Sequence, residues 1–331
     1  MEKNAGPKMP IQYFTTFSPK DVEWLWFPYI PYGKITMIQG DPGDGKTALA
    51  LNIAALLSNG SPMPESDKGV CSTTVIYQSA EDGVADTLMP RLISAGADCS
   101  RIACIDESES GLTLGHPRIE SAIRETGARL MFLDPLQGYT GENSEMNRAD
   151  GIRPMMKHLA AVAERTRCAL VIIGHMNKAS GAKGLYRGLG SIDIMAAARS
   201  VLLVGRSKSD PTIRVMVQLK NSLAREGKPI AFEIHDDASL RWIGEYDTTA
   251  EELLLGHGTP EEGPKISEAM EYLTDILRSG EVACTQIYEQ FREMGISKRT
   301  VDSAKKKLNI KSIRHAGSWY WSLATSSDWV Q

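Results

Sequence analysis

Apolar positions along the first 245 residues fall into two alternating kinds of run. Short continuous runs at residues 34–39, 73–78, 101–105, 130–133 and 169–174 read as buried strands. Between them, longer stretches at 46–58, about 82–95, 117–125 and 148–165 read as helices. The helix at 117 has proline at its first position, where no N–H is missed. In the helix at 148, Ile152, Met155, Met156, Leu159 and Val162 form one stripe, and Pro154 marks either its true start or a kink. Three further apolar runs, at 200–204, 213–219 and 230–234, follow without intervening helices. Strands alternating with helices and ending in consecutive strands predict an α/β fold, with a mostly parallel sheet and an antiparallel edge.

Residues 246–264 break this pattern. Gly-His-Gly-Thr-Pro and Glu-Glu-Gly-Pro punctuate the stretch, which reads as a linker with a short helical piece at 251–255. Beyond it, Ile266, Ala269, Met270, Leu273, Ile276 and Leu277 mark one helix face. Residues 285–293 make a second helix closed by Gly295, and Ser297 caps a third at 298–308. The Gly-Ile-Ser between them is a tight turn of helix-turn-helix type. Two short strands, 310–314 and 318–321, then pair across Ala316-Gly317. Three helices and a hairpin look like a winged helix. The expected organisation is therefore a core at 1–245, a linker at 246–264 and a small winged-helix-like DNA-binding domain at 265–331.

Charge separates the two halves. The formal net charge is −4, yet residues from Lys265 onward hold 10 Lys and Arg against 8 Asp and Glu, which leaves 27 against 33, or −6, for residues 1–264. Residues 296–323 carry seven basic residues and one acid, Asp302. Such a segment suits a polyanion. Lys298, Arg299, Lys305, Lys306 and Lys307 on the third helix are the candidate contacts to duplex or forked DNA; a protein-docking winged helix with a solvated face is the alternative. The five cysteines are scattered without a Cys-x-x-Cys pair, as expected of reduced thiols in a cytoplasm. No apolar run reaches membrane-spanning length, and residues 1–12 are too polar for a signal or transit peptide, so no membrane partner is expected.

The chemistry concentrates after the first strand of the core. Gly40-Asp41-Pro42-Gly43-Asp44-Gly45-Lys46-Thr47 fits G-x-x-x-x-G-K-[ST] at every fixed position, and Ala48 continues into a helix. Glycines let backbone N–H groups turn inward around phosphates, and the helix N-terminus adds positive dipole. Lys46 reaches the β/γ-phosphates of ATP, and the Thr47 hydroxyl ligates Mg²⁺. Asp134 ends the apolar strand at 130–133, where a carboxylate holds the metal, through water. Pro135 follows it, so the acid that orients an attacking water lies elsewhere. Glu81, in Tyr77-Gln-Ser-Ala-Glu81-Asp82, is the candidate, with Asp82 either sharing the task or capping the next helix. His175, ending another strand at the same edge, points at the same crevice.

Together these residues look like the RecA-like ATPases. More narrowly, the sequence resembles the RepA-type hexameric helicases of plasmids and related ATPases of phages and mobile elements, over roughly residues 20–245. The resemblance runs through Trp24-Leu-Trp26, Ile30-Pro-Tyr-Gly33, Ser79-Ala-Glu81-Asp82, Leu133-Asp-Pro-Leu136, Gly174-His-Met-Asn-Lys178, Arg187-Gly-Leu-Gly-Ser191 and Ala197-Ala-Arg-Ser-Val201. It implies a homo-oligomer, most simply a hexameric ring, with ATP and Mg²⁺ as cofactors and His175 as a γ-phosphate sensor whose role Asn177 shares. It also implies an arginine supplied by a neighbouring subunit: Arg206 is the first candidate, Lys220 the second, and Arg199 is structural. The Gly-rich basic loop between His175 and Ile192 would face a central channel. There Lys183, Tyr186 and Arg187 suit contacts to single-stranded DNA, although such a loop also suits contact with the next subunit. The implied activity is that of a DNA-dependent ATPase, most simply a replicative helicase. An ATP-switched adaptor that loads another helicase and a recombination mediator are the alternatives.

Overall fold

The structure, a computed structural model, describes residues 11–66, 69–140, 149–175, 192–207, 210–235, 237–256, 264–278, 280–308, 310–315 and 318–323. The chain divides into two compact units, residues 1–256 and 257–331.

The first unit opens with a small ribbon of β1 (Trp24–Trp26) and β2 (Ile30–Pro31). Then come β3 (Ile35–Gly40), α1 (Lys46–Asn59), β4 (Val75–Ser79), α2 (Met89–Ser94), β5 (Ile102–Ala103), α3 (Arg118–Thr126) and β6 (Leu130–Asp134). After these follow α4 (Ala149–Thr166), β7 (Ala169–His175), α5 (Ile192–Ala197), β8 (Ser200–Arg206), β9 (Ile213–Asn221), β10 (Ile230–Ile234), β11 (Leu240–Glu245) and α6 (Ala250–Gly256). The main sheet runs β11-β10-β9-β8-β3-β7-β6-β4-β5. From β8 to β5 all pairs are parallel; β9, β10 and β11 extend the sheet antiparallel. This is the mostly parallel α/β core expected from the sequence.

Strand composition follows from burial on both faces. On β6, Leu130 and Phe132 pack with α1 and α2, whereas Met131 and Leu133 pack with α3, α4 and α5. Two helical layers therefore sandwich the sheet. Helix α1 is apolar nearly all round because Leu49 to Ala55 and Leu57 are buried.

Several local expectations shift. Residues 82–95 do not form one α-helix. A π-helical turn at Val84–Leu88 precedes α2, where Pro90 has no N–H to give to a regular ladder. Pro154 lies inside α4, neither starting it nor ending it. Strand β11 was not legible in the sequence. It is an edge strand, half-buried at alternate positions, and Gly244 interrupts its apolar pattern. Part of the expected linker is packed: Leu253 of α6, with Tyr246 and Ala250, covers Leu203, Val215, Val217 and Ala231 of the antiparallel edge.

The second unit contains α7 (Pro264–Leu277), β12 (Val282–Ala283), α8 (Cys284–Glu293), α9 (Lys298–Lys307), β13 (Lys311–His315) and β14 (Ser318–Ser322). Its three strands order as β12-β14-β13, all antiparallel. Leu273, Leu277, Ile287, Phe291, Val301 and Trp321 form its core. The Ser297 hydroxyl accepts from the Thr300 N–H and caps α9, as its position in the sequence predicts. The unit is winged-helix-like. Among the described residues no helix is long and apolar enough to cross a membrane.

Candidate functional site

Parallel strands bring their carboxyl ends to one edge of the sheet, and that is where the chemistry collects. Register aligns Gly40 of β3 with His175 of β7, and Ser79 of β4 with Asp134 of β6. The loop after β3 turns through Gly45, at φ +94°, directly into α1. A Cβ at Gly40 would stand 2.2 Å from the Val204 carbonyl oxygen, so only glycine lets β3 leave the sheet so close to β8.

Lys46 is buried, and its ammonium donates to the carbonyls of Gly40 and Asp41, both at 2.9 Å. Burial pulls its pKa down, opposed by Asp44, Asp134, Asp41 and Glu81. The Thr47 hydroxyl donates to Asp134 Oδ2 at 2.9 Å. Tyr77, which sequence reasoning passed over, donates its hydroxyl to the same oxygen at 2.7 Å. Burial pushes the Asp134 carboxyl above its usual range, while the bonds from Tyr77 and Thr47 pull it back. Burial also raises the Tyr77 phenol, so that it stays a donor. Across the crevice Glu81 Oε2 lies 3.9 Å from His175 Nε2. Asp82 instead pairs with Arg91 at 3.4 Å, and its backbone N–H bonds to the Ser79 hydroxyl. The next helical turn starts at Gly83 without a side-chain cap, so Asp82 is not the cap considered from sequence.

The two basic residues expected to act on a neighbour have partners in their own chain. Arg206 Nη2 donates to the Gly43 carbonyl at 2.9 Å, and its Nε lies 3.7 Å from the buried Asp44. Asp44 Oδ2 in turn accepts from the Asp41 N–H at 2.8 Å. Arg206 thus braces the glycine loop from outside. Lys220 donates to the Met195 and Ala198 carbonyls, both at 2.8 Å, closing the end of α5. Desolvation lowers its pKa.

This donor set fits a magnesium nucleotide. Lys46 is held only by backbone carbonyls, which an anion can displace. Asp134 takes both its hydrogen bonds on Oδ2, so Oδ1 has no partner among the described residues. Residues 10–181, which hold the glycine loop, Glu81, Asp134 and His175, match the family model described as the AAA domain. The chain belongs to the AAA domain family. The core of this AAA protein is a RecA-like P-loop ATPase fold. It is 24% identical to the DNA repair protein RadA of Bacillus subtilis strain 168 over 249 residues, 74% of this chain and 48% of that protein. The RadA of Halalkalibacterium halodurans is 24% identical over 208 residues, 62% of this chain and 40% of the relative. The chain thus spans less than half the length of these curated relatives. A solved DnaB-like replicative helicase shares the fold at a TM-score of 0.51 and 16% identity, over 64% of this chain and 57% of that one.

The expected nucleic-acid contacts of this AAA protein divide differently. Asn177, Lys183, Tyr186 and Arg187 lie outside the described residues, as do the side chains of Arg299 and Lys307. In the second unit Lys298 Nζ sits 4.8 Å from the Tyr288 ring centroid and Lys305 Nζ 4.3 Å from that of Trp321. Lys306 is exposed.

Proposed function

We propose that this AAA protein is a DNA-dependent ATPase that assembles with copies of itself and moves along single strands, as a replicative helicase of the RepA type does. The observation that carries the reading is the meeting of Lys46, Thr47, Asp134, Glu81 and His175 at one edge of the sheet. In this reading Lys46 and the N–H groups of residues 43–48 hold the phosphates. Thr47 and Asp134 would hold Mg²⁺, which supplies charge neutralisation at the phosphates. Glu81 orients water, and His175, 3.9 Å away, senses the γ-phosphate end. The named DNA repair relatives and the fold shared with a replicative helicase support DNA as the partner. The loop with Lys183, Tyr186 and Arg187 is the proposed single-strand contact, and the second unit the contact to duplex or forked DNA.

The test is steady-state ATPase activity with and without single-stranded DNA, beside Lys46→Ala. Stimulation by single strands that disappears in Lys46→Ala is the expected result. Absence of nucleotide binding under every condition would overturn the reading. One observation favours a second reading, an ATP-switched loader: Arg206 and Lys220 are both engaged within their own chain rather than presented to a neighbour. Slow turnover indifferent to DNA, with nucleotide still driving assembly, would select it.

A further inference from the structure

We infer that the second unit holds single-stranded DNA on the hairpin of β13 and β14, with Trp319 stacking on an unpaired base and Arg314 meeting the adjacent phosphate. The inference rests on the DNA reading above and narrows it to a form of DNA and to a surface.

On α9, the helix that a helix-turn-helix would lay in a groove, two of the described ammonium groups are already engaged. Lys298 lies over Tyr288. Lys305 lies over Trp321 and donates to the Ser312 hydroxyl at 2.6 Å. Tyr288 and Trp321 meet edge to face at 5.2 Å, and the Tyr288 hydroxyl donates to Asp302 at 2.5 Å, which places the segment's one acid beside these lysines. These contacts tie α9 to its own core.

The hairpin differs. Arg314 and Trp319 are directly paired across β13 and β14, with the guanidinium 5.8 Å from the indole centroid. Trp319 is 49% exposed, while Trp321, two residues on and on the same face, is 3% exposed and in the core. The strand period of two therefore sends one indole inward and leaves the next beyond the edge of the core. Arg314 is itself exposed, as are Lys311 and His315 on the same strand. Every base has a π-face, so an exposed indole beside a guanidinium matches alternating base and phosphate without reading sequence. A duplex hides those faces in its stack. The local charge of +6 over residues 296–323 supplies the attraction to the backbone.

The experiment measures anisotropy of a labelled oligo-dT with the full chain, without nucleotide, across a salt series, and repeats it with a blunt duplex. The variants are Trp319→Ala, Trp319→Phe and Arg314→Ala. Trp319→Ala is expected to weaken single-strand binding about tenfold with an unchanged salt slope, because stacking releases no counterion. Trp319→Phe should restore most of the loss, which also shows that the unit folds. Arg314→Ala should lower the slope by about one. Duplex binding and basal ATPase activity should not move. Single-strand affinity unchanged in Trp319→Ala, or single-strand and duplex affinity lowered equally, would overturn the inference while leaving the ATPase reading intact. A wild-type chain that binds no single strand at all would overturn both.

Discussion

Tyr77→Phe isolates the residue that sequence reasoning missed. The change removes one oxygen and keeps the ring, which is buried and packs on Phe132 with centroids 5.2 Å apart. The hydroxyl donates at 2.7 Å to a carboxylate with little access to water. A hydrogen bond to a charged group contributes about 1.5–3 kcal/mol. Thr47 still donates to the same oxygen, so a loss of about 2 kcal/mol is expected, or about 4–8 °C in Tm for a unit of this size. The larger effect concerns the metal. Removing a partner of a metal-holding carboxylate lowers metal affinity about 10–100-fold. The Mg²⁺ concentration for half-maximal ATPase activity should rise by that factor, with kcat at saturating Mg²⁺ changing less. The sign of the pH effect follows from the same bond. Tyr77 pulls the Asp134 pKa down against burial, so without it the carboxyl protonates at higher pH. Mg²⁺ dependence should therefore fail earlier on acidification than in the wild type. A variant that melts lower with an unchanged Mg²⁺ titration would refute the metal argument and leave Tyr77 a packing residue.

Mixing Arg206→Ala with Lys46→Ala subunits separates action within a chain from action across an interface. Because Arg206 reaches the glycine loop of its own chain, the mixture should show no recovered ATPase activity; recovery would make it a residue that acts on the neighbour. Gly45→Ala should cost about 1–2 kcal/mol and raise KM for ATP, since φ is +94° there. Trimming Ile234, whose Cδ1 stands 2.6 Å from the added Cβ, should not rescue it, because the backbone angle rather than the contact is limiting. Glu120 binds Arg124 of its own helix and Arg165 of α4, and these two hold its pKa near about 2. That stabilisation is complete above the ordinary carboxylate pKa and lost as pH falls through the lowered one. Glu120→Gln should therefore melt lower than wild type at pH 7, by up to about 1 kcal/mol, with the difference vanishing toward pH 2.

The sequence by itself determined what depends on neighbours along the chain. Gly40 to Thr47 specify a glycine turn into a helix N-terminus, and apolar runs long enough for strands but not for helices announce a sheet buried on both faces. Ser297 three residues before Thr300 announces the cap of α9. The sequence also marked Asp134, Glu81 and His175, because each polar residue ends an apolar run and so falls at one edge of a parallel sheet. Tertiary structure alone decided which side chains meet there. Tyr77 reaches Asp134 because β4 and β6 pair with Tyr77 opposite Phe132, which puts Asp134 one diagonal step away. No local pattern encodes a register between strands 50 residues apart. Arg206 and Lys220 looked available because a cation at a strand end is unpaired in the sequence. Strand β8 beside β3 sets Arg206 against Gly43, and β9 beside β8 carries Lys220 to the end of α5. The charge of the C-terminal segment was legible as a sum. Its division into lysines held over rings and an arginine left beside an exposed indole follows from packing, which a count of charges does not contain.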